Sequence, residues 1–201
     1  MDRSRGDGYF STRDVNIPYK PLSSQKRFHD SKARFKGFSG PIGSGKSAAL
    51  CQEAIRMTYK NPGRTGLIGA PTYPMLRDAT QLAFIEVLEA SDIPYEWNRG
   101  ENLLTIRESK SRILFRSLED FERLRGSNLA WFGVDELTYA HEEAWLRLEG
   151  RLRDPKADRL CGFAVWTPKG FDWVHERFIA NQVEGYDAVL AKPFENRFLL
   201  R

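Results

Sequence analysis

The chain has 201 residues, of which 41% are hydrophobic and 29% charged, and a net charge of +4. That composition describes one soluble globular domain and excludes disordered, collagenous and membrane-spanning classes: no run of about 18 apolar residues is present. Residues 1–7 lack the apolar core of a secretory signal, and Cys51 and Cys161 lack C-x-x-C spacing, so an intracellular protein with buried free thiols is expected.

In chain order, the polar and charged residues 1–17 read as a flexible N-terminal arm, and 18–201 as a single domain. Ser23 or Ser24 is predicted to cap a short helix that carries Gln25 and Phe28 on one side. A glutamine amide can pair with N6 and N7 of adenine, although a surface helix accommodates glutamine just as well. Residues 33–38 alternate as a short strand does. They lead into Gly40-Pro41-Ile42-Gly43-Ser44-Gly45-Lys46-Ser47, which satisfies G-x-x-x-x-G-K-[ST] at each fixed position. Glycines let successive backbone N–H groups turn inward as an anion nest, and the helix expected over 47–59 adds its positive end. A nucleoside triphosphate fits such a nest. Lys46 would reach its β- and γ-phosphates, and the Ser47 hydroxyl would ligate Mg2+.

A second strand–loop–helix unit comes next, with an apolar strand at 65–70 and helical periodicity over 76–88, and two such units imply parallel strands with right-handed crossovers. Residues 102–107 and 112–116 alternate around a charged turn as a β-hairpin. Its Arg99, Arg107, Lys110, Arg112 and Arg116 suit either phosphate contact or the blocking of a sheet edge. The continuous apolar run 129–134 is the pattern of a strand covered on both faces, and it closes on Asp135-Glu136. Ligands bind at that end of parallel strands. Asp135 is therefore placed to hold Mg2+ through water, and Glu136 to orient or deprotonate an attacking water. An amphipathic helix over 142–153, a buried strand at 160–166, a helix over 171–179 and a last strand at 186–191 complete the pattern. The hydroxyl of Thr167, at the end of the strand 160–166, is placed to sense a γ-phosphate.

With these residues in view, the chain from Pro18 to Leu199 resembles the N-terminal ATPase domain of tailed-bacteriophage large terminases. The resemblance rests on the order of Tyr19-x-Pro21 with Gln25, Gly40 to Ser47, Ala70-Pro71-Thr72, Leu124-Arg125-Gly126, Asp135-Glu136 and Trp166-Thr167-Pro168-Lys169-Gly170 with Trp173. It implies an α/β P-loop NTPase of RecA-like (ASCE) type, with a mostly parallel central sheet flanked by helices and an inserted hairpin. It also implies Mg2+-dependent ATP hydrolysis coupled to DNA translocation, with Tyr19 and Gln25 at adenine and Glu136 as the catalytic glutamate. Arg125 resembles an arginine finger, a device worth about 10³ to 10⁵ in rate, though a helix-end cation has the same sequence appearance.

The partners implied are double-stranded DNA, a homo-oligomeric (pentameric) ring on the capsid portal and a small terminase subunit, in the host cytoplasm and without a membrane. Family members that carry an arginine within the P-loop differ here, where Pro41, Ile42, Gly43 and Ser44 fill those places. Large terminases continue into an RNase H-like nuclease, so no nuclease activity is expected of these 201 residues. A helicase-type motor and a non-hydrolysing nucleotide switch share parts of the pattern. The first lacks its second set of arginines here, and the second has no need of Glu136.

Overall fold

A computed structural model describes residues 11–12, 15–17, 19–119, 128–181, 183–192 and 195–196. Within the stretch read as an arm, β1 (Ser11–Thr12) pairs antiparallel with β2 (Val15–Asn16), and Ile17 is buried in the main core. The chain continues through α1 (Ser23–Asp30), β3 (Phe35–Ser39), α2 (Lys46–Lys60) and β4 (Thr65–Ala70). Next come α3 (Tyr73–Met75), a π-helical turn (Leu76–Thr80), α4 (Gln81–Ala90), β5 (Tyr95–Asn98), β6 (Leu103–Ile106) and β7 (Arg112–Ser117). The remainder is β8 (Trp131–Val134), a 3-10 turn (Leu137–Tyr139), α5 (Glu142–Arg151), β9 (Cys161–Trp166), α6 (Trp173–His175), a second π-helical turn (Glu176–Ala180) and β10 (Tyr186–Leu190).

One eight-stranded sheet runs β10-β3-β9-β8-β4-β7-β6-β5. From β10 to β7 all pairings are parallel, while β6 and β5 add antiparallel at the far edge. The expected hairpin is thus a three-stranded extension. Its Tyr95–Asn98 strand escaped the pattern because its residues alternate only between half-buried and exposed. The strand β9 lies between the P-loop strand β3 and the acidic-ended β8, which is the order of the RecA-like core.

Both faces of the central strands are covered, so their residues alternate between two cores rather than between core and water. Trp131, Phe163 and Phe38 pack with Leu50, Ala54 and Ile55 of α2 and with Phe28 of α1. Phe132, Ala164 and Trp166 face the other way, toward Trp145 and Leu148 of α5 and toward Phe178. The alternation expected over 33–38 therefore reports two buried faces, and all of β3 is buried. Both helices expected over 76–88 and 171–179 begin with a single turn and pass through a π-helical turn. Cys51 and Cys161 are buried and free, as expected. Among the described residues no helix is long and apolar enough to cross a membrane.

Covering both faces leaves Lys36 inside. Its ammonium lies 2.8 Å from Glu53 Oε1 on α2 and donates to the Phe28 carbonyl at 2.9 Å. Arg56 donates to the same carboxylate at 3.1 Å, and His29 Nδ1 lies 2.7 Å from its other oxygen. Burial alone would push the Glu53 carboxyl up, but Lys36, His29 and Arg56 outweigh it and hold the group at about 2. Burial lowers the His29 imidazole against the pull of Glu53, which leaves it neutral with Nδ1–H donating and Nε2 accepting from Tyr19 Oη at 3.2 Å.

Removing one charge from this cluster leaves the others buried without compensation, which costs about 3–5 kcal/mol. Glu53→Gln should lower stability at neutral pH by that amount in a urea titration. In the wild type both shifts are depressions, so their stabilisation is complete above the ordinary values. It should fade first as pH falls through 6.5, where unfolded histidine takes a proton that His29 refuses, and again below 4.5 for Glu53. Melting temperatures measured from pH 8 down to about pH 3 should decline through both windows, and a flat profile would contradict the cluster.

Candidate active site

The parallel strands β3, β8 and β9 end together, and the loops leaving them carry the predicted motif. Gly43 and Gly45 take φ of 79° and 81°, the left-handed region that lets the loop fold back before α2 begins at Lys46. A Cβ on Gly45 would meet Gln25 Nε2 at 2.5 Å and push that amide off the loop. Gly40 opens the loop by donating to the Trp166 carbonyl at 3.1 Å, and Ser44 N–H donates to the Pro41 carbonyl. The buried Ser44 hydroxyl has no hydrogen-bond partner among the described residues. Ile42 is 90% exposed at the tip of the loop, and Ser47 is exposed in the first turn of α2.

Gln25 is buried beside this loop. Its Oε1 accepts from Leu22 N–H at 2.8 Å and its Nε2 donates to the Gly45 carbonyl at 2.9 Å. The glutamine, rather than Ser23 or Ser24, thus closes the start of α1 while bracing the P-loop. One N–H and acceptor capacity remain on the amide. Tyr19 packs edge-on to His29, with ring centroids 5.6 Å apart, and through it joins the Glu53 cluster on α2.

Lys46 Nζ donates to the Pro41 carbonyl at 3.1 Å and lies 3.8 Å from Glu136 Oε1. Glu136 has φ 46° and ψ 51°, a left-handed conformation that costs a non-glycine residue about 1–3 kcal/mol. This turn separates two consecutive carboxylates. Glu136 points to β9, where Thr167 N–H donates to Oε2 at 3.0 Å and the Thr167 hydroxyl donates to Oε1 at 3.1 Å. Asp135 instead accepts from the Thr80 hydroxyl at 2.8 Å. Burial pushes the Asp135 carboxyl up, opposed by the Thr80 hydroxyl and Lys46. Trp173 Nε1 donates to the Ala140 carbonyl at 3.0 Å, which ties the segment after β9 to the segment after β8.

The structure thus joins Gln25 to Gly45, Lys46 to Glu136, and Glu136 to Thr167. Arg125 and the Leu124-Arg125-Gly126 motif lie outside the described residues. Three participants carry no sequence signal. Asn196 Nδ2 donates to the Gly43 carbonyl at 2.5 Å and the neighbouring Glu195 accepts from Ser24 N–H at 2.7 Å, so the segment after β10 holds both the P-loop and α1. Thr80 is one polar residue within a helical pattern, and nothing in its spacing points to an aspartate 55 residues away.

The chemistry of this donor set suits a magnesium nucleotide. A buried hydroxyl with no partner among the described residues and a lysine share the loop with two glycines of left-handed backbone, and a carboxylate pair closes β8.

Comparison with known proteins agrees with the geometry. Residues 38–189 match the family model described as terminase large subunit, T4likevirus-type, N-terminal. The large terminase subunit of Thermus virus P23-45 is 27% identical over 186 residues, covering 81% of this chain, and the chain spans 37% of the length of that relative. The fold is shared with the ATPase domain of the Thermus phage P74-26 large terminase, at TM-score 0.68 and 22% identity over 87% of this chain and 82% of that one. It is shared also with the large terminase of another thermophilic bacteriophage in complex with ATP-gamma-S, at TM-score 0.74 and 14% identity over 88% of this chain and 46% of that one. With the family model covering most of the sheet and both acidic and glycine-rich motifs, the chain belongs to the T4likevirus-type terminase large subunit N-terminal family.

Proposed function

We propose that this chain is the ATP-hydrolysing motor domain of a viral DNA-packaging terminase that drives double-stranded DNA into a procapsid. The observation that carries the reading is the convergence of Lys46, Glu136 and Thr167 at the ends of three adjacent parallel strands, with Glu136 held in a strained backbone conformation. Strain of this kind persists where surrounding structure over-determines it, and it concentrates at active sites.

In this reading the nest from Gly40 to Ser47 cradles the phosphates and Lys46 places its charge against the β- and γ-oxygens. Ser47 and Asp135, the latter through water, would hold Mg2+, which when bound neutralises charge developing on the phosphates. Glu136 accepts the proton of the attacking water. Thr167 fixes the plane of that carboxylate with two donors, so the base is oriented before the reaction. To sense the γ-phosphate, the Thr167 hydroxyl exchanges Glu136 for a phosphate oxygen, and the same exchange releases the base. Gln25 reads adenine with its remaining donor and acceptor while keeping its hold on Gly45, and Tyr19 flanks the base. Arg125 acts as an arginine finger.

Along β7, Arg112, Leu114 and Arg116 share one face, and with Leu103 and Asn102 they line a groove of about 580 Å³. This groove is the surface offered to the phosphates of duplex DNA. Arg107 is not among the residues that line it and pairs with Glu96 at 3.3 Å. The ring on the capsid portal, a small terminase subunit as partner and residence in the host cytoplasm belong to the same proposal.

Lys46→Ala should lose nucleotide affinity, whereas Glu136→Ala should bind ATP as the wild type does and lose turnover. Undiminished phosphate release by Glu136→Ala in a steady-state assay would remove it as the base. If Arg125 reaches a neighbouring site, a mixture of Arg125→Ala and Glu136→Ala chains should regain ATPase activity at concentrations where light scattering shows association. Associated mixtures that stay inactive would count against a finger in trans. For the groove, duplex binding by Arg112→Ala across a salt series should show a slope of log K against log salt that is shallower by about 0.9, one phosphate contact. A slope equal to that of the wild type would place the DNA elsewhere.

A further inference from the structure

The sole described side-chain donor to Asp135 comes from neither glycine-rich loop nor β9 but from the helix after β4. Thr80 and Asp135 are 2% and 8% exposed, and the Thr80 hydroxyl donates to Asp135 Oδ2 at 2.8 Å. Reaching Asp135 from this helix takes an unusual backbone. Thr72 caps α3 by accepting from Met75 N–H at 3.3 Å, and the helix then widens over Leu76–Thr80, where Gln81 N–H donates to the Leu76 carbonyl instead of one residue later. One residue inserted in this way rotates the remainder of the helix by about 100° relative to an unbroken one. Both partners are anchored to the same strand pair: Gly69 of β4 lies opposite Val134 of β8, and Asp135 N–H donates to the Gly69 carbonyl at 2.9 Å.

We propose that Thr80 is the positioning residue of the magnesium site, and that the π-helical turn Leu76–Thr80 exists to deliver its hydroxyl to Asp135. A carboxylate that meets a metal through water needs its rotamer held by other donors, because the metal bond itself does not hold it. A packing role alone asks only for a small branched side chain at position 80. The hydroxyl against a buried carboxylate is the feature that such a role leaves unexplained. The same bond connects the Mg2+ site to the surface carried by the turn, where Tyr73, Arg77 and Asp78 are exposed. This inference rests on the reading of the site as a magnesium-nucleotide site.

The test compares Thr80→Val, of nearly the same shape, with Thr80→Ser, which keeps the hydroxyl, by monitoring a fluorescent ATP analogue bound to each chain in EDTA and over a Mg2+ titration. Thr80→Val should bind the analogue in EDTA as the wild type does and need about tenfold more Mg2+ for the half-maximal response. Thr80→Ser should return the midpoint to the wild-type value. An unshifted midpoint in Thr80→Val, or equal shifts in Val and Ser, would overturn the role. Should Thr80→Val fail to fold, the same contrast between Thr80→Ala and Thr80→Ser decides, with the shift expected in Ala alone. A wild type that binds the analogue without any response to Mg2+ would overturn the proposed function together with this role, whereas a responsive wild type beside an unshifted variant overturns this role alone.

Discussion

The register of β9 between β3 and β8 is the constraint on which the site depends. Ser39 lies opposite Trp166, and Val134 opposite Ala164, so the loops that begin at Gly40, Asp135 and Thr167 leave the sheet side by side. A slip of one residue would exchange the two faces of β9, driving Phe163 toward α5 and Trp166 toward α2. Both faces are packed with large aromatic side chains, including Trp131, Phe132 and Trp145, and neither accepts the exchange. Close packing of the two cores therefore sets the distances among Lys46, Glu136 and Thr167 before any of those residues interacts.

Beneath the glycine-rich loop a second constraint ties α1, β3 and α2 together. Glu53 of α2 draws together Lys36 from the strand before the loop and His29 from the helix that carries Gln25. A cluster of this kind adds little net stability compared with apolar packing, since taking the charges out of water offsets most of their attraction. What it supplies is orientation. Lys36 has its donors turned to the end of α1, so the helix and the loop keep one mutual placement, and Gln25 reaches the Gly45 carbonyl as a consequence.

Asp135 and Glu136 show how adjacent carboxylates acquire different surroundings. The left-handed backbone at Glu136 sends one group toward Thr80 on the helix after β4 and the other toward Thr167 at the end of β9. Burial raises the Asp135 carboxyl while hydroxyl and ammonium groups oppose it, an environment suited to a charge shared with a cation. Glu136 meets two donors from Thr167 and lies close to Lys46, an environment that holds a carboxylate plane in place.

Local chemistry in the chain was enough to announce the glycine-rich loop, the helix directly after it, the strand at 65–70, the apolar run ending at Asp135-Glu136 and the buried thiols. Each of these is written in consecutive residues, through turn chemistry, hydrophobic period or length of an apolar run. Lys36 within a buried strand and the hold of Gln25 on the Gly45 carbonyl were not legible, because each depends on a partner in another element of the fold. The meeting of Thr80 with Asp135 and of Asn196 with Gly43 spans 55 and 153 residues. No period or spacing encodes such a contact, since it arises only when parallel strands pair in one order and the helices close over them. The residue types of the chemistry were therefore a property of the sequence, while their mutual orientation was decided by a sheet packed on both faces, which leaves each loop a single direction in which to leave.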